Sequence, residues 1–198
     1  MSKEELHYDS THITFLEKLW GDGFMSPGGK KEIERLLKDL DVSKQKILDI
    51  GCGSGGISVS LVKDYGAQEV IGIDVEKDVV RAASDRVEKS GLKNNVKILL
   101  TGKSNLPFQD NYFDVVFSKD SFVHIPDKEK IFSEVFKVLK PGGFFVFSDW
   151  LISHDQKPSK EMEYYLKLED LGFGMASPEL YSKALKKNGF ILIDKNNR

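Results

Sequence analysis

Short apolar runs and stretches of helical spacing alternate along this chain. The runs KILDI, EVIGIDV, NVKILL, FDVVFS, FFVFSDW and FILID are rich in β-branched and aromatic residues, the pattern of buried strands. Between them, ISVSLVKDY, DVVRAASDRVEKSG and DKEKIFSEVFKVLKPGG place apolar residues at spacings suited to helices. The last runs into Pro-Gly-Gly, which stops a helix. Strands alternating with helices predict an α/β fold in which a mostly parallel sheet is covered by helices. Residues 3–41 read instead as two helices broken at GDGFMSPGG. The expected organisation is one domain, 1–198, with a helical cap segment over 1–41 and an α/β core over 42–198.

Composition narrows the partners. A chain of 198 residues, 40% hydrophobic and 30% charged, can bury one sizeable core. Its 29 Lys and Arg against 31 Asp and Glu leave a net charge of −2, which argues against nucleic acid and against an acidic membrane surface. No apolar run approaches the ~20 residues of a membrane span, and the stretch MSKEELHYDS has no apolar signal region. The reading is a cytoplasmic protein that acts on a small molecule. Cys52 is the single cysteine, and the four histidines lack metal-ligand spacing, so no metal is expected.

Candidate chemistry begins at ILDIGCGSGG, Ile47 to Gly56. A strand, a glycine turn and a helix in succession let a ligand approach the backbone closely. Gly51, Gly53 and Gly56 satisfy G-x-G-x-x-G, which alone also fits a nicotinamide cofactor. Asp74, ending the second strand in GIDV, is placed to accept both hydroxyls of a ribose. Turn formation and helix capping are the structural alternatives for Asp49 and Asp74.

Together with VIGIDV, LPFQDNYFDVVFSKDSFVHIPD and FKVLKPGGFFVFSDW, taken in order, this stretch resembles the class I S-adenosylmethionine-dependent methyltransferases. The resemblance implies a Rossmann-like, mostly parallel sheet and a core that binds S-adenosyl-L-methionine. It further implies that Gly51, Cys52, Gly53 and Gly55 lie beneath the cofactor, that Asp74 with Val75 meets the ribose, and that Asp49 orients the methionyl ammonium through water or backbone. Many relatives carry an acidic residue after the third strand, where this chain has Gly102 and Lys103. Adenine contact then falls to backbone, Lys103 or Ser104, and Ser118 is expected to line the cofactor. The family also ends in an antiparallel strand for which no residues remain after FILIDKNNR, so that strand is expected to be missing, through trimming of the chain or supply by a partner.

The segments HYDSTHITFLEKLWGDGFMSPGG and FSKDSFVHIPDKEKIF are similar to those of small-amine N-methyltransferases of the phosphoethanolamine and sarcosine/dimethylglycine types. That likeness implies a catalytic pair of Tyr8 and His124, with Asp120 beside the substrate amine. A packing aromatic at Tyr8 and a family-wide H-I-P-D turn at His124 are the competing readings. Trp20, Phe24, Trp150 and Phe173 are candidate aromatic walls for a methylated cation. Trp150, Leu171 and Phe173 align where phosphoethanolamine enzymes grip phosphate, which favours a small amino acid as acceptor over phosphoethanolamine. The alternatives are O-methylation of a small acid or phenol, a non-catalytic cofactor-binding module, and a nicotinamide oxidoreductase. A homodimer is included among the expected partners.

Overall fold

The computed structural model of the chain describes residues 8–102, 105–154, 158–169 and 174–197. Among these, five strands form one sheet: β1 (Lys46–Ile50), β2 (Glu69–Asp74), β3 (Val96–Leu100), β4 (Phe113–Lys119) and β5 (Leu139–Ser148). Their order is β3-β2-β1-β4-β5, and every pairing is parallel. A parallel sheet is covered on both faces, which is why its strands read as continuous apolar runs rather than as alternation.

Register assigns the faces. Ile47 lies beside Val70 and Val115, and these three pack with Ile33 and Leu37 of α2 (Gly29–Leu37) and Ile57 and Leu61 of α3 (Gly56–Lys63). The same face carries Val87 of α4 (Lys77–Lys89). One residue along, Leu48 lies beside Ile71 and Val116 and faces the other way. There it meets Ile131, Phe132 and Val135 of α5 (Lys128–Val138) and Tyr181 and Leu185 of α7 (Pro178–Lys187). Each fully buried aliphatic or aromatic side chain in these layers contributes about 1.5–3 kcal/mol.

The cap helices form where the sequence predicts them, α1 (Ser10–Trp20) and α2, separated by the glycine-rich break. Asp9 caps α1 by accepting the His12 N–H, and Asp127 caps α5 by accepting that of Lys130. Ser177 caps α7 with Pro178 in its first turn, where a proline loses no helical hydrogen bond. The remaining helix, α6, covers Lys160–Glu169.

Two expectations change. β5 starts at Leu139, ahead of the FFVFSDW run, because Leu139 pairs with Phe113 before the ladder shifts register and resumes at Phe144 beside Val115. FILID forms no strand. Phe190 packs on Phe136 and Phe145, whereas Ile191 and Ile193 are 87% and 78% exposed. An extended segment needs a neighbour to satisfy its backbone groups, and no described strand lies beside it.

Candidate functional site

The strand order reverses at β1, whose partners are β2 on one side and β4 on the other. The carboxyl ends of strands flanking such a switch point open a crevice. A cavity of about 410 Å³ occupies it, walled by the turn after β1, the end of β2, the turn after β4 and the loop between α1 and α2. That volume falls within the roughly 300–1,000 Å³ of small-molecule sites.

Sterics fix the turn after β1. Gly51 has φ +68, and a Cβ there would lie 2.1 Å from the Ser121 hydroxyl. Cys52 and Gly53 follow on the cavity wall, and burial pushes the Cys52 thiol well above its ordinary range, so it stays protonated. Gly55 lies off the wall as the residue preceding α3, against Ala83. Gly56 is pressed so closely on the cap loop that a Cβ would lie 2.4 Å from the Gly23 carbonyl, which accepts the Gly56 N–H at 3.0 Å.

The two strand-end aspartates do different things. Asp74 lies on the cavity wall, where Oδ2 accepts the Gly53 N–H at 3.1 Å and Oδ1 accepts those of Val75 at 2.8 Å and Glu76 at 3.1 Å. Burial raises its carboxyl above the usual range against the pull of those three donors. Asp49 is fully buried and does not reach the cavity; Oδ2 accepts the Ser58 hydroxyl at 2.6 Å, and Oδ1 has no hydrogen-bond partner among the described residues. Burial pushes its carboxyl up to about 7, with the nearby Asp74 adding to the rise. Ser118 is likewise behind the wall, its hydroxyl donating to the Ile50 carbonyl at 2.9 Å.

Tyr8, Asp120 and His124 all line the same cavity. Tyr8 packs against His12 with ring centroids 4.9 Å apart and the planes tilted by 32°. His124 ends the 3-10 turn Phe122–His124 that follows β4. Asp120 has φ +55 and pairs with Lys119 at 2.8 Å, each side chain 1% exposed. A non-glycine residue held in the left-handed region stores strain of order 1–3 kcal/mol; Lys44 and Asn111 share that conformation off the cavity wall.

Sequence reasoning passed over Lys119, whose ammonium also donates to the Ser26 hydroxyl. The signal was a charge closing an otherwise apolar strand. It passed over Met25 and Ser26, also wall residues, because GDGFMSPGG reads as a helix break. Arg86 on α4 carried no local signal at all. Its guanidinium donates to the Ser54 carbonyl at 2.8 Å, to both Asp22 oxygens at 2.8 and 2.9 Å and to Glu17 at 2.8 Å, tying the cap loop to the glycine turn. Of the aromatic candidates, Phe24 reaches the wall, Trp20 packs against the core, and Trp150 is half exposed away from the cavity. Lys103, Ser104, Leu171 and Phe173 lie outside the described residues, and Thr101 and Gly102 line the cavity. No described helix is long and apolar enough to cross a membrane, and no group of described His, Cys, Asp or Glu side chains is arranged to hold a metal.

Comparison with known proteins agrees with this geometry. Phosphoethanolamine N-methyltransferase 1 of Zea mays is 35% identical over 188 residues, which are 94% of this chain and 36% of the relative. Phosphoethanolamine N-methyltransferase 2 of Haemonchus contortus, solved in complex with S-adenosyl-L-methionine, superposes with a TM-score of 0.85 at 31% identity, over 93% of this chain and 42% of that one. A Galdieria sulphuraria structure assigned as a sarcosine dimethylglycine methyltransferase gives 0.76 at 25% identity, over 91% of this chain and 74% of the other. The chain thus spans less than half the length of the curated relatives it matches. A family model described as a methyltransferase domain matches residues 41–188, the whole sheet with the turns that wall the cavity, and the chain belongs to that methyltransferase family.

Proposed function

We propose that this chain transfers a methyl group from S-adenosyl-L-methionine to the nitrogen of a small amine. The observation that carries the reading is convergence: Tyr8, Asp120 and His124 share one cavity with the Gly51–Gly53 turn and Asp74. The residues fit the cofactor. Gly51 and Gly53 leave room for close approach of a ligand to the backbone, and Asp74 faces the cavity with acceptor capacity beyond its three backbone donors. Ile73, Val79 and Leu106 give apolar walls for a base, and the buried Lys119 supplies a cation for a carboxylate. Bound there, S-adenosyl-L-methionine supplies an electrophilic sulfonium methyl group.

The remaining work is alignment and control of one proton. An ammonium has no lone pair, so the substrate nitrogen must lose its proton before it can attack. His124 is the group placed to accept that proton, an imidazole being the side chain suited to general-base work near neutral pH. Asp120 offers a carboxylate to hold the amine, and Tyr8 closes the cavity from the cap side.

Phosphoethanolamine is the first acceptor to test. Of the residues aligned where phosphoethanolamine enzymes grip phosphate, Trp150 does not line the cavity, and Leu171 and Phe173 are outside the described residues. Mass spectrometry of products from phosphoethanolamine, glycine, sarcosine, dimethylglycine and a phenol, each with S-adenosyl-L-methionine, tests the reading. The expected result is a methylated amine. A methylated phenol alone, or no product from any acceptor, overturns it. His124→Ala should lower kcat by about two to four orders of magnitude with cofactor affinity nearly unchanged, as loss of a positioned proton acceptor does. Tyr8→Phe should cost less. Full rates in both variants at neutral pH would make His124 scaffold.

A further inference from the structure

The turn that carries His124 is held by two side chains that do not line the cavity, one of them held in turn by a third. Asp149, just after β5, accepts the Val123 N–H on Oδ1 at 3.1 Å, and its Oδ2 accepts the Tyr181 hydroxyl of α7. Lys128 opens α5 and is 2% exposed. Its ammonium donates to the carbonyls of Phe122 at 2.6 Å, Ile125 at 2.5 Å and Gly174 at 2.8 Å. Three carbonyls use all three donors of a lysine. Gly174 completes the circuit, donating its N–H to the Val123 carbonyl at 2.6 Å.

Backbone groups on both sides of His124 are therefore fixed by side chains from α5 and the end of β5, the latter held in turn by Tyr181 of α7. Packing alone does not call for this arrangement, because an apolar side chain of similar volume at Lys128 would avoid the desolvation of a buried cation. That cost is visible: burial lowers the Lys128 ammonium to about 8, against the pull of Asp149, and burial raises the Asp149 carboxyl to about 6. What an apolar residue cannot do is hold two carbonyls of one turn while a carboxylate holds the N–H between them.

We propose that Lys128, Asp149 and Tyr181 are positioning residues for His124, which set the backbone of the Phe122–His124 turn so that the imidazole faces the substrate nitrogen. Through Gly174, the same ammonium couples that turn to the residues that lead into α7. The inference rests on the proposed methyl transfer with His124 as proton acceptor.

The test uses Tyr181→Phe, which removes one hydroxyl, and Asp149→Asn, which keeps the acceptor for Val123; Lys128→Met is added if it folds. In the folded variants kcat should fall about ten- to a hundredfold, the cost of a small misplacement of a reacting group. The dissociation constant of S-adenosyl-L-methionine should stay within about twofold, since the turn after β1 and Asp74 are untouched. In a His124→Ala background the same substitutions should have no further effect on kcat, because residues acting through one group are not additive. Unchanged kcat in folded Tyr181→Phe and Asp149→Asn, or a loss of equal size without the imidazole, overturns the proposal. If the unaltered chain methylates no amine, the functional reading fails by itself, and the brace is read from the His124 ring signals in NMR. Doubled or broadened signals in both variants support it, and unchanged signals overturn it.

Discussion

Two aspartates at the ends of neighbouring strands divide one task. Asp74 accepts the backbone N–H of Gly53 and so shapes the turn from the cavity side, while Asp49 is sealed behind it with one oxygen unpartnered. Asp74→Ala should weaken S-adenosyl-L-methionine binding by the equivalent of one or two charge-assisted hydrogen bonds, about 1.5–3 kcal/mol each. Calorimetry measures this, and unchanged affinity would remove Asp74 from the site. Asp49 instead predicts a pH dependence. Its folded value of about 7 lies above the ~3.9 of an unfolded aspartate. Between those values the folded chain keeps a proton that the unfolded chain has released, so stability falls as pH rises through the window. Asp49→Asn should remove a large part of that slope, on the order of a few kcal/mol between pH 4 and 7, read from urea unfolding at several pH values. The Asp149 carboxyl, raised to about 6 by burial, leaves a smaller slope of the same sign. A variant whose slope equals that of the unaltered chain would show Asp49 to be ionised in the fold.

At the scale of elements, the cap loop and the glycine turn form one unit. Gly23 and Gly56 touch backbone to backbone, and Arg86 reaches from α4 to hold Glu17, Asp22 and the Ser54 carbonyl together. Arginine suits this position because its planar fork serves several acceptors at once, which a lysine ammonium does less well. Arg86→Ala should free the cap loop: limited proteolysis within residues 21–29 should quicken, and thermal stability should drop by about 2 kcal/mol, the scale of a lost charge-assisted pair. Unaltered cleavage would mean that the Gly23–Gly56 contact suffices. The elements themselves were legible, since five of six strands and both cap helices lie where apolar spacing puts them. Their ends were less so. The Pro-Gly-Gly expected to stop α5 lies instead within β5: the helix ends earlier, at Val138, because Leu139 finds Phe113 beside it and opens the strand.

For the whole molecule, the described sheet closes its cores on both faces, while Ile191, Leu192 and Ile193 are exposed together. Ile191→Ser with Ile193→Ser should move Tm by no more than about 1 °C, as surface changes do. A fall of several degrees would show that the segment packs within the fold. The sequence by itself determined the alternation of strand and helix, the glycine turn after β1 and the carboxylate ending β2, because local spacing, steric demand and turn chemistry act over a few residues. Resemblance then brought Tyr8, Asp120 and His124 into one hypothesis. Only the tertiary structure decided that Asp49 and Ser118 stand behind the wall while Lys119, Met25 and Ser26 stand on it. It alone joined Arg86 to the cap and Lys128, Asp149 and Tyr181 to the histidine turn. Those contacts link residues tens of positions apart, and no local pattern encodes a partner that the chain meets only after the sheet has formed.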